Sequence, residues 1–262
     1  MQEGQARTPA AAPLGMFKIY RYAGGTIPII RKTPMNKLLR TLLAAGAGVL
    51  LAACAAPRSS QDDAAVRSVA VVSLLDESGP VRRLGFTVFG NAKDGVPQNG
   101  KLKQVAVDTV KQRLAATRPQ WTVKAADIEL PAGAKPTAGA NTAALAAMAA
   151  RMGVDQVFVL EDSTGQNLPG QGVGLTFRTM GEKAGPMMVH AYIGLVVLDR
   201  NGKELVRRGA TRDNPHMTPK SELGLRPDLS NLGDPKVRDT VSQALQRRLK
   251  GAVEEAMERA GY

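Results

Sequence analysis

The chain has 262 residues and a net charge of +12, with 44% hydrophobic and 22% charged residues but only 4% aromatic ones. That composition excludes a wholly disordered chain, and the single cysteine excludes both an intrachain disulfide framework and a Cys-rich zinc site, leaving Ala, Val and Leu to fill the core. The charge is unevenly divided: residues 1–53 carry seven Lys or Arg against one acid, and the remaining 28 basic and 22 acidic residues lack the aromatic interleaving of a base-stacking surface, so no nucleic-acid partner is expected.

Residues 1–34 fit neither a signal nor a domain and read as an extension upstream of a true start at Met35. From Met35 the sequence takes the three-part plan of a secretory signal. Lys37 and Arg40 give a basic end, Thr41 to Leu51 an apolar run, and Ala52-Ala53-Cys54 a small-residue close. The run is shorter than the roughly 20 apolar residues that span a bilayer. Leu51-Ala52-Ala53-Cys54 resembles the lipobox of bacterial lipoproteins. The resemblance implies cleavage before Cys54, acyl chains on its sulfur and new amino terminus, and an outer-membrane anchor facing the periplasm, Ala55 standing where Asp often marks inner-membrane retention. Residues 35–53 are then the signal, and 54–65, polar from Pro57 to Asp63, a flexible tether.

Residues 66–262 read as one α/β domain, with α+β as the alternative: a single mixed sheet with two to three packed helices. Ser68–Leu75 is a β-branched apolar run suited to a strand covered on both faces. Leu84–Phe89, between Gly79-Pro80 and Gly90-Asn91, predicts an antiparallel second strand. Leu102, Val105, Ala106, Thr109, Val110 and Leu114 have helical spacing, and Pro119 stops them. Trp121–Leu130 predicts a strand. Asn141 is placed to cap a helix running through Met152 to a Gly153 stop, and Val154–Leu160 predicts the next strand. Residues 162–174 read as a loop and Val173–Met180 as a strand. Met187–Leu198 and Lys203–Ala210 predict a hairpin turned at Asn201-Gly202. A proline-rich loop spans 211–233. Asp234-Pro235 then opens a long amphipathic helix whose stripe runs Val237, Val241, Leu245, Leu249, Val253, Met257.

Val69-Ala70-Val71-Val72-Ser73-Leu74-Leu75, with Gly85-Phe86-Thr87-Val88-Phe89-Gly90-Asn91, resembles periplasmic proteins of proteobacteria that share a Gly-x-Thr-Val-Phe-x-Asn stretch. The likeness covers about the first hundred mature residues and implies no activity. The order of elements is also similar to the small α/β domains of envelope lipoproteins, a likeness of fold alone.

Chemistry is sparsely signalled. No Gly-x-Ser-x-Gly is present, and of the two histidines His190 falls inside an apolar strand, where a satisfied structural residue is the expectation. His216 lies near Asp213, so a base and its orienting carboxylate can be imagined there, although proline-rich loops commonly leave such residues in solvent. Glu161-Asp162 ends a predicted strand, where α/β sheets often bind ligands and adjacent carboxylates raise one another's pKa. Gly170-Gln171-Gly172-Val173-Gly174 leads into a strand rather than a helix, unlike a phosphate loop. The expectation is therefore no catalytic, metal or cofactor site. A lipid-anchored interaction or scaffold module with envelope protein partners ranks first, a small-ligand binder using the 162–185 loop second, and a hydrolase using His216 third.

Overall fold

A computed structural model of the chain describes residues 64–85, 91–164, 170–180, 183–210, 216–218 and 220–262. By its internal contacts the chain divides into two units, Met1–Ala55 and Ala56–Tyr262. Cys54, the expected signal and residues 54–63 of the expected tether lie outside the described residues.

The second unit is an α/β fold built on one mixed sheet. Its strands are β1 (Ser68–Ser73), β2 (Pro80–Leu84), β3 (Ala92–Gly95), β4 (Thr122–Ala125), β5 (Gln156–Asp162), β6 (Gly172–Met180), β7 (Lys183–Asp199), β8 (Glu204–Gly209) and β9 (His216–Thr218). The helices are α1 (Lys101–Thr117), α2 (Thr142–Met152), the single turn α3 (Lys220–Leu223) and α4 (Pro235–Arg259). Hydrogen bonding orders the sheet β3-β2-β6-β7-β5-β1-β4, with β8 and β9 also on β7.

The 17-residue β7 is the spine. β5 pairs with its carboxyl half, ending at Asp162 opposite Ile193, and β6 takes over at once with Gly172 opposite Tyr192. β5 and β6 are therefore collinear, with the Gly172 amide donating to Ser163 O at 2.9 Å across the join, and β1 and β2 lie parallel beside β5 and β6 in turn.

Strand alternation separates two cores. Phe158, Leu160, Ile193, Leu195 and Val197 face α1 and α4, whereas Val157, Val159, Val196 and Leu198 join Leu145, Met148 and Ala149 of α2 on the opposite face. The expected α4 stripe is fully buried at Val241, Leu245, Leu249, Val253 and Met257. Burying each such side chain contributes about 1.5–3 kcal/mol, enough to fix the helix on the sheet. Asp234 caps it, its Oδ1 accepting the Lys236 amide at 2.8 Å, with Pro235 as the first helical residue. Tyr262 then closes the chain by edge contacts with Phe158 and Trp121, at centroid separations of 4.9 and 6.1 Å.

Local signals hold at Gly153, which adopts φ 64 after α2 and lets the Val154 amide reach back to Ala149 O, and at the Asn201-Gly202 turn between β7 and β8. Elsewhere the elements shift. Strand β2 runs Pro80–Leu84 and meets the expected Leu84–Phe89 strand at Leu84; residues 86–90 lie outside the described set. It does not pair with β1, being antiparallel to β3 and parallel to β6. The Trp121–Leu130 strand shrinks to β4, since its pairing with β1 runs only from Thr122 to Ala125. Asn141 does not cap α2: its Nδ2 donates to Lys135 O and Thr137 O, each at 2.7 Å, pinning the preceding loop while a 3-10 turn leads into the helix. The 211–233 loop contains β9 and α3, and β5 and β6 intrude on the 162–174 loop from both sides.

Candidate functional site

The polar groups that the sequence brought forward converge on the join between β5 and β6. Glu161 and Asp162 are neighbours in the chain, so the pleat turns them to opposite faces. Glu161 lies on the α2 face, 6% exposed. One of its oxygens accepts the Ala138 amide at 2.6 Å and the other pairs with the Arg207 guanidinium, which also forks onto Glu204. It thereby ties three segments distant in sequence: β5, the approach to α2, and β8.

Asp162 turns the other way. Its Oδ2 accepts the Asp76 amide at 3.0 Å, stitching the end of β1 to the end of β5, while Oδ1 is buried without a hydrogen-bond partner. Burial raises its pKa to about 6. The Asp76 amide opposes this, and the Asp76, Glu161 and Glu77 charges add to it. The adjacent carboxylate foreseen from sequence therefore contributes, but desolvation leads. Gly172 sits directly over the carboxylate: a Cβ there would be 2.6 Å from Oδ1, and φ is +61, so only glycine fits.

His190 lies on β7 on the other side of Gly172 and is 1% exposed. Its Nδ1 is 3.1 Å from Gly172 O, which can only accept, so the proton is on Nδ1. Nε2 is then the acceptor for the Thr176 hydroxyl at 3.3 Å. Tyr192 stacks on the ring at 5.0 Å, and the Gly170 backbone closes over both. Burial lowers the pKa of His190 to about 4 against the pull of Gly172 O, with Arg82 lowering it further. A neutral imidazole with both nitrogens engaged has no lone pair for general-base work. The arrangement fixes the start of β6 against β7.

His216 is the first residue of β9, opposite Val189 of β7, rather than in a loop. Its side chain, Asp213 and Cys54 lie outside the described residues, and so does the expected His216–Asp213 pairing. Among the described residues no group of three His, Cys, Asp or Glu is arranged to hold a metal ion. No described helix is long and apolar enough to cross a membrane.

A feature that sequence reasoning did not find is a groove of about 580 Å³ between α1 and α4, lined by Arg113 and Ala116 on one wall and by Arg248, Gly251, Glu254 and Glu258 on the other. Its floor is open at Gly251, where an added Cβ would meet nothing within 4 Å. A helix-interior glycine with neither strain nor packing to explain it was the available signal. No family model matches the chain, and no curated protein is significantly similar to it in sequence.

Proposed function

We propose that the chain is a lipid-anchored envelope protein facing the periplasm from the outer membrane, whose folded unit serves as a protein-interaction module. The observation that carries this reading is in the sequence: Leu51-Ala52-Ala53-Cys54 closes a basic and then apolar segment that begins at Met35. Cleavage before Cys54 would leave its acyl chains a few residues ahead of the folded unit, whose first strand begins at Ser68. Two or three acyl chains hold a protein on its membrane where one is marginal.

The surface chemistry supports interaction over turnover. Small-ligand sites are mostly apolar and enclosed, whereas the α1–α4 groove is walled by Arg and Glu side chains. The titratable groups at the β5–β6 join are committed to holding the fold together.

The test is intact mass of protein from the membrane fraction, expressed from Met35, beside a Cys54→Ser control. A mass fitting a chain that begins at acylated Cys54, absent in the control, supports the anchor; an uncleaved, unacylated chain refutes it. The interaction role predicts envelope partners whose crosslinks to the groove are lost in an Arg113→Glu/Glu258→Lys variant that remains folded. Retention of the same crosslinks would move the partner surface elsewhere.

A further inference from the structure

The sheet registers gather cations at one end of the folded unit. β1, β4 and β5 are parallel, with Ser68 opposite Thr122 and Val69 opposite Gln156, and Gln156 faces Asp199 at the end of β7. The amino ends of three strands, the β7–β8 turn and the last turn of α2 therefore share this end, since Gly153 leads directly into β5. Arg67, Lys124, Arg151, Arg200 and Lys203 are all exposed here.

Most of these charges are not consumed by the fold. Lys124 is the exception, its Nζ donating to Met152 O at 3.2 Å at the carboxyl end of α2, which also places it beside Arg151. Among the described residues, the Arg67 guanidinium donates to the nearby carbonyls of Ala64 and Val66. Among the described residues, Arg151, Arg200 and Lys203 have no carboxylate within ion-pair distance.

The acids at this end are engaged: exposed Glu204 pairs with Arg207, and the half-buried Asp155 and Asp199 hold backbone amides. Asp155 accepts the amides of Arg67 and Ser68 at 2.9 and 3.0 Å, and Asp199 accepts those of Asn201 and Lys203 at 2.8 Å. Toward α4 both signs are present, with Glu258 and Arg259 in its last turn and Arg118 over the Trp121 and Tyr262 rings.

We propose that this end is a docking surface for anionic lipid headgroups and seats the folded unit end-on against the membrane. The inference rests on the reading of Cys54 as the anchor. Charge complementarity is one argument, each Lys or Arg near an anionic surface strengthening binding roughly fivefold. The other is where the chain enters: β1 begins at this same end, 14 residues after Cys54. If the anchor reading holds, a tether of that length would span on the order of 20 Å and would keep the cationic end, and not the opposite one, next to the headgroups.

The experiment uses the full-length protein reconstituted in vesicles of phosphatidylcholine with or without phosphatidylglycerol, and reads amide hydrogen exchange. On the anionic vesicles, exchange over 65–68, 122–126, 150–155 and 199–204 slows at least about fivefold relative to neutral vesicles, and salt reverses the effect. Exchange over 76–79, at the far ends of the same strands, does not change. An Arg67→Gln/Arg151→Gln/Arg200→Gln/Lys203→Gln variant, which spares the helix-capping Lys124, loses the response while staying attached. Equal exchange on both vesicle types, with the protein still retained in high salt, overturns the proposal and leaves the anchor standing. Should the protein wash off both vesicles in high salt, the anchor reading has failed and the face is judged by itself at low salt. Preferential binding to anionic vesicles that the variant loses then supports it, and equal partition overturns it. Protection of these segments by single-stranded RNA but not by anionic lipid also overturns it.

Discussion

Asp162 and His190 flank Gly172 with pKa values displaced in opposite directions, and their effects on stability should nearly cancel. Between about pH 4 and 6, Asp162 keeps in the fold a proton that it would release in the unfolded chain, where its pKa is near 3.8. The folded state binds more protons there, so this term weakens the fold as pH rises. His190, held near 4 against an ordinary 6.5, does the reverse: the unfolded chain takes up a proton the fold refuses, and stability is lost as pH falls below 6.5. Each slope is about 1.4 kcal/mol per pH unit, and each sums to roughly 3 kcal/mol over its window. Asp162→Asn leaves an acceptor for the Asp76 amide but removes the ionisation. The variant should gain up to about 3 kcal/mol at pH 7 and then lose stability steeply from pH 6.5 to 4, where the parent is nearly level. His190→Gln should show the mirror slope, rising on acidification below pH 6, beneath a constant offset for its altered hydrogen bonds. Asp155, whose pKa the Arg67 amide holds below 3.8, titrates outside this window. The assay is urea unfolding at intervals from pH 4 to 7.5, comparing midpoints and slopes. An Asp162→Asn chain that is less stable than the parent at pH 7, or that follows the parent's pH profile, refutes the account of a buried carboxylate with one oxygen unpartnered at this join.

Other perturbations test the remaining contacts. Gly251→Ala fills open space in an exposed helix interior and should stabilise the fold by about 1 kcal/mol, read as a rise in Tm of a few degrees; no change would mean that the glycine is not in ordinary helical backbone. Glu161→Gln keeps the acceptor for the buried Ala138 amide and loses only an ion pair whose Arg207 partner retains Glu204, so it should cost about 1 kcal/mol, against about 2–3 for Glu161→Ala. Equal costs in urea unfolding would put the weight on the ion pair instead. Glu77 accepts the amides of Gly100 and Lys103 at 3.0 and 2.6 Å at the start of α1, and Glu77→Ala should cost about 1–2 kcal/mol, with faster hydrogen exchange confined to that first turn.

These examples also mark what the sequence made legible. Where one or two adjacent residues carry the signal, as at Asp234-Pro235, Asn201-Gly202 or Gly153, the element forms where its local chemistry places it. The alternation through Val157, Phe158, Val159 and Leu160 was visible as an apolar run, and its burial on both faces follows from having helices on both sides of the sheet. The ends of β2 and β4 were not legible, because they are set by pairing partners far along the chain: β2 by Leu175–Arg178 of β6, and β4 by Ser68–Val71 of β1. The cap of α1 could not be seen for the same reason, since Glu77 reaches it from the β1–β2 connection. Glu161 and Asp162 were visible as a charged pair at a strand end, but only the three-dimensional pleat assigns one to an ion pair and the other to an unpaired, buried position.

The continuation of both strand rows bears on what the fold can do. In open α/β sheets, ligands bind in the crevice beyond the carboxyl ends of the parallel strands. Here β1 and β5 end side by side, but each row carries on, into β2 and into β6, and Asp162 accepts the Asp76 amide across the join. The ground where a crevice would open is occupied by more sheet, with His190, Thr176 and Gly172 hydrogen-bonded over it. Side chains that would be exposed and reactive at the mouth of such a crevice are consequently internal fittings, their pKa values shifted by the burial that the continuation imposes. Perturbed titration is therefore a consequence of architecture at this site and is not evidence of catalysis. What the described unit offers outward lies elsewhere: an open, charged groove between α1 and α4, and a cationic end where β1 begins. Under the proposed function these are the surfaces on which a partner protein and a membrane would be held.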